Sequence, residues 1–222
     1  MGVGPGTMGL SLPGFLIVWV VMMAAMMFPS VAPMAIIWIR SVGARPTRGE
    51  RALGIASFLS GYLLAWAAFG VVVYVLLSGA DRLVQHFPGI VPWVGSAIFA
   101  IAGVYQLTPL KEVCLRHCRT PVGSLFHYAS YSGRARDLRV GIHHGLYCVG
   151  CCWGLMIVLV GVGAMNVPAM VALAGVIFVE KVSRHGATFS RVVGVALLVV
   201  AALVPFVPGL LPGLGTVPMS SM

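Results

Sequence analysis

A chain of 222 residues that is 59% hydrophobic and only 9% charged cannot clothe itself in a water-facing surface, since a soluble domain carries about 25% charged residues. With a mean hydropathy of +1.01, it reads as one integral membrane domain covering 1–222, all-α, a polytopic helix bundle with no segment polar enough to stand apart in water. The formal charge of +9 would suit nucleic acid in a soluble protein; here its placement in loops sets orientation, and no nucleic-acid partner is needed.

The apolar runs predict six transmembrane helices at roughly 14–39, 53–77, 90–110, 142–164, 167–181 and 190–207, mostly near the length of about 20 residues that a bilayer crossing requires. The fifth is short and begins at Pro168. The opening stretch MGVGPGTMGLSLPG has no basic residue, and the apolar run behind it is too long for a signal peptide, so it counts as the first span. Arg40, Arg45, Arg48 and Arg51 follow span 1, six more basic residues from Lys111 to Arg139 separate spans 3 and 4, and Lys181, Arg184 and Arg191 follow span 5. Arg82 alone falls in an opposite-side loop. The positive-inside rule then places those three loops in the cytoplasm and both termini outside.

Span 1 reads FLIVWVVMMAAMMFPSVAPM. Met22 with Met26, and Met23 with Met27, are i, i+4 pairs on a helix face. Thioethers select cuprous copper, so a methionine ladder can pass Cu(I) along a face without deprotonation; methionine also fills irregular cores, and that reading stands beside the first. Pro29 and Pro33 are expected to kink the helix. In span 2 and beyond, Tyr62, Trp66, Tyr74 and Trp93 read as interfacial anchors, and Gln106 and Thr108 as hydrogen-bonding residues near the end of span 3. His86 and His127 read as solvated loop residues, and His185 has no assigned role.

The five cysteines fall in two groups. In KEVCLRHC, Cys114 and Cys118 are i, i+4, beside His117; in HHGLYCVGCCWGLM, His144, Cys148, Cys151 and Cys152 stand at i, i+4, i+7 and i+8, one continuous stripe, with His143 rotated off it. Both groups belong to the cytoplasmic half, where thiols stay reduced, so metal binding or redox chemistry is the expected use of this clustering. Thiolate with imidazole suits Cu(I), zinc or an iron–sulfur cluster. Two ligand groups from two helices, at one depth, would close such a site. Glu112 and Glu180, with Lys181, are the candidates for orienting the ligands from outside. The competing reading, buried cysteine as a small hydrophobe, explains one cysteine better than it explains five.

The segments MMAAMMFPSVAPM, YQLTPLKEVCLRHCRTP, GLYCVGCCWGLMIVLVGVGAMN and VIFVEK together resemble a bacterial family of predicted metal-binding integral membrane proteins of unknown function. The resemblance covers roughly residues 15 to 182. It implies a bacterial inner-membrane protein and points to Met22, Met23, Met26, Met27, Cys114, His117, Cys118, His144, Cys148, Cys151, Cys152, Glu180 and Lys181.

The leading expectation is a membrane protein that handles Cu(I), for transport or for delivery to a membrane cuproenzyme, with the lipid bilayer, other membrane subunits and a metallochaperone as its partners. Zinc in a non-catalytic subunit of a larger membrane complex is one alternative. A thiol oxidoreductase cycling Cys148 and Cys151 against a quinone is another. No nucleophile elbow, Ser–His–Asp set or P-loop occurs, so no catalytic residues are assigned and transport would run on a gradient or mass action.

Overall fold

In the computed structural model, residues 7, 9–43, 47–119, 128, 131, 133, 135–163 and 166–206 are described. Arg45, His127, Arg134 and position 207 lie outside the described residues. The described residues form helices and no strand: α1 (Leu12–Gly43), α2 (Arg48–His86), a 3-10 turn (Pro88–Ile90), α3 (Val91–Leu107), α4 (Pro109–Arg119), α5 (Arg136–Val162), α6 (Val167–Val182) and α7 (Gly186–Leu203).

Local chemistry sets several of these ends. Thr47 caps α2, its hydroxyl accepting from Glu50 N at 3.2 Å. Asn166 caps α6 in the same way, accepting from Ala169 N at 3.1 Å, and a proline occupies the first turn behind it. α5 ends at Gly163, which sits at φ 118°, open to glycine and strained for other residues. α3 stops at Leu107 because Pro109 pushes Thr108 into extended backbone, φ −76° and ψ 148°. The chain then turns by 65° into α4.

Four helices are long and apolar enough to cross a membrane: Leu12–Ala32 within α1, α2, α5 and α7. The bent pair α3–α4 makes a fifth if counted as one broken span. The expected fifth span is the 16-residue α6, which rises only about 24 Å against a hydrocarbon core of about 30 Å. Among the described residues, four helices thus meet the requirement alone, or five with the bent pair, against the six spans expected. Ile17, Val21, Val75, Val171 and Val199 point outward and are well exposed, an apolar exterior consistent with membrane association.

α5 is the most buried of the four, packed against α2, α3, α4 and α6, while α3 lies along α7 and α1 along α2. Two glycines let α2 and α5 approach backbone to backbone. A Cβ on Gly141 would stand 2.1 Å from Phe58 O, and one on Gly61 would stand 2.3 Å from Leu138 O, the small-residue contact that membrane helices use. Tyr62 and Trp66, expected at the interface, are instead fully buried, and Trp19 Nε1 donates to Trp66 O at 3.1 Å. Trp93 is exposed.

Candidate metal centre

The site is built on α5, whose i, i+4, i+7, i+8 stripe carries His144, Cys148, Cys151 and Cys152 into the interior. The helix begins at Arg136 rather than near 142, so Cys148 and Cys152 lie about 18 and 24 Å along it, at the middle of its length of about 40 Å. α4 is drawn against this stripe. Gly150 leaves the space: a Cβ there would be 2.9 Å from Cys114 Sγ. The Tyr105 hydroxyl donates to Gly150 O, fixing the end of α3 on the same turn.

The two cysteine groups meet. Cys118 Sγ of α4 lies 3.9 Å from Cys151 Sγ of α5. One residue on, Cys152 Sγ lies 3.9 Å from Met27 Sδ of α1. Four sulfurs from three helices thus fall into two pairs on adjacent residues of α5, a sulfur line in which Cys118 is half-buried and Cys151, Cys152 and Met27 are buried. Met23 and Met27 are fully buried, and Met22 and Met26 nearly so, in the same core. α1 remains helical through Pro29, and Ser30 Oγ donates to Met27 O at 2.8 Å.

Cys148 has different company. Lys181 Nζ donates to its sulfur at 3.1 Å and to Ser30 Oγ at 3.3 Å. The Tyr62 hydroxyl is 3.1 Å from the same sulfur. An ammonium and a phenol converging on one sulfur supply the donors an anion uses. The thiols of Cys151 and Cys152 turn back to donate to Cys148 O at 3.2 and 2.7 Å.

The remaining candidates separate. His144 is buried between Phe58 and Tyr62, ring centroids 6.4 Å away in each case, and its Nδ1 has no hydrogen-bond partner among the described residues. His117 turns away from the sulfurs to stack on Tyr147 at 3.8 Å. Its Nε2 is 3.0 Å from Tyr128 Oη, which is also 3.1 Å from His143 Nδ1. Burial, reinforced by the nearby Cys118, pushes the Tyr128 phenol up, so it keeps its proton at neutral pH. Glu180 is hydrogen-bonded to other residues: Lys111 Nζ donates to it at 2.8 Å and Gln106 Nε2 at 3.1 Å. Glu112 is on the outside of α4, paired with Arg116 and Arg191 at 3.5 and 3.3 Å.

Among the described residues, no three His, Cys, Asp or Glu side chains converge as a preformed metal cage. What the fold presents is paired sulfurs. Tyr62 and Ser30 are the site residues that sequence reasoning missed. A tyrosine in an apolar helix carries no signal beyond its amphipathic ring, although Tyr62 and Phe58 (i, i−4) share the face that meets α5.

The chain matches the PpoB2 family, described as a copper chaperone, over residues 16–204, and it belongs to that family. No curated protein and no solved structure matches it.

Proposed function

We propose that this copper-chaperone family member is a multi-pass protein of the bacterial inner membrane that carries Cu(I) on its sulfur line and hands it to a membrane cuproenzyme or to another copper carrier. The observation that supports this best is the juxtaposition of Cys118 with Cys151 and of Cys152 with Met27, each at 3.9 Å. Sulfurs at that separation can both reach one thiophilic ion, taking the metal–sulfur length of about 2.3 Å known for zinc as a gauge. Thiolate and thioether donors select cuprous copper among biological metals. Structural zinc usually takes four ligands, whereas the described donors come in pairs.

Copper is cargo in this scheme. As each thiol binds the ion it gives up its proton, and the hydrogen bonds from Cys151 and Cys152 to Cys148 O are released. Membership of a copper chaperone family supports binding that is reversible and followed by delivery. The reading keeps the six-span topology with both termini outside: α3 and α4 act as one broken span, and α6 is a short crossing. α4 buries Lys111 and Leu115 and packs against α5 and α6, while Leu110, Val113 and Arg116 stay exposed.

The test is an anaerobic Cu(I) titration of detergent-purified protein against a cuprous chelator. Stoichiometric binding is expected, weakened strongly by Cys118→Ser or Cys151→Ser. Equal competition by both variants and the unchanged protein would refute the site.

A further inference from the structure

A second ligand cluster lies on the loop side of the sulfur line. Tyr128 Oη, from the α4–α5 connection, receives two imidazoles from two helices, His117 Nε2 at 3.0 Å and His143 Nδ1 at 3.1 Å. The phenol O–H can donate to one ring while the other ring's N–H donates to the phenol oxygen. Two nitrogens converging on one oxygen are also placed to share one small ion once the phenol swings aside. Both histidines and Tyr147 are partly exposed. An open depression of about 240 Å³, lined by Val113, Arg116, His117 and Tyr147, leads to His117. The Arg116 cation at its rim is offset by Glu112 at 3.5 Å.

The cluster is joined to the sulfurs by both helices. On α4, His117 directly precedes Cys118. On α5, His143, Tyr147 and Cys151 stand at i, i+4 and i+8 along one face. An ion held by the imidazoles is thus about two turns of α5 from the Cys118–Cys151 pair.

We propose that His117 and His143, gated by Tyr128, form a second and weaker copper site, an exchange station through which Cu(I) passes between soluble carriers and the Cys118–Cys151 pair. The proposal rests on that pair being the copper store. Imidazole suits copper and binds it neutral, so docking needs no deprotonation. On transfer, copper–nitrogen bonds break as copper–sulfur bonds form. The two thiols lose their protons, one to each departing imidazole or to water, and copper stays monovalent throughout.

The experiment uses the full chain in detergent, kept anaerobic, and compares it with His117→Gln/His143→Gln. Glutamine can keep a hydrogen bond to Tyr128 but is a poor copper ligand. Stopped-flow loading from a Cu(I)–chelator complex, and unloading to excess chelator, should both slow by the same factor, about tenfold or more. A second sample, with Cys118, Cys148, Cys151 and Cys152 all replaced by serine, should still retain Cu(I) weakly, with nitrogen ligation in X-ray absorption that disappears when the glutamines are added. Unchanged rates overturn the proposal, as does slowed loading with unaltered unloading, or a four-serine chain that holds no copper. Failure of the copper-store reading itself shows separately, as absent Cu(I) binding by the unaltered protein at equilibrium.

Discussion

Lys181 and Cys148 sit 3.1 Å apart in the middle of an apolar bundle, and a buried lysine in such a place calls for a functional reason. Copper on two thiolates leaves one net negative charge in that interior, and an ammonium nearby offsets it. Lys181→Met keeps the chain length and removes the charge. It should weaken Cu(I) binding by about 10–100-fold, the usual cost of losing a partner that supports a metal site. Lys181→Arg should retain most of the affinity. Chelator competition reads both, and a methionine variant that binds like the unaltered protein would contradict the assignment. The nearby Lys111–Glu180 pair, 2.8 Å and almost wholly buried, has a structural role: with Gln106 it ties α4 and α3 to α6. Lys111→Met should cost about 3–5 kcal/mol by stranding a buried carboxylate, and the double variant Lys111→Met/Glu180→Leu should recover much of it in thermal unfolding. At this scale the cysteine stripe was legible, because helical periodicity alone puts His144, Cys148, Cys151 and Cys152 on one face. The split of Glu180 and Lys181 was not. They are neighbours in sequence, yet one binds Lys111 and the other Cys148, and only the packed helices decide which.

Among the helices, the 65° turn at Thr108–Pro109 does most to assemble the centre. A straight continuation of α3 would carry Cys114 and Cys118 away along its own axis. The turn lays α4 across α5, where Gly150 accepts Cys114 and Cys118 reaches Cys151. The Thr-Pro signal was present in the sequence, where an uninterrupted span to 110 was expected, and the residue before proline should have marked the boundary. Gly150→Ala tests the packing. Its methyl group would meet Cys114 Sγ at 2.9 Å, and overpacking of this kind costs about 1–3 kcal/mol. Because α4 must shift, Cu(I) affinity should fall along with the melting temperature. A variant that melts lower but binds copper unchanged would show that the register of α4 on α5 does not control the site. The methionines of α1 follow the same logic at a distance. Their i, i+4 spacing placed them on one face, but it took the fold to show that Met27 is the one set against Cys152.

For the whole molecule, the composition already pointed to helices, and the described residues form an all-α architecture with four helices long and apolar enough to cross a membrane. The number of crossings was less legible. Apolar runs report hydrophobicity and not tilt or bending, so the broken α3–α4 looked like an ordinary span, whereas the 16-residue α6 already read as short. Orientation is a separate claim with its own check. Arg48→Cys, at the start of α2, should react with a membrane-impermeant maleimide only from the cytoplasmic side, and Gly89→Cys, in the turn after α2, only from the outside. The reverse pattern would invert the direction in which copper travels without altering the site. Elemental analysis with copper-edge X-ray absorption on anaerobically isolated protein is the sharpest probe of the sulfur line. Stoichiometric copper with sulfur in its first coordination sphere is expected, lost in the Cys118/Cys151/Cys152→Ser variant. Zinc in place of copper, or copper that survives those three substitutions, would contradict it.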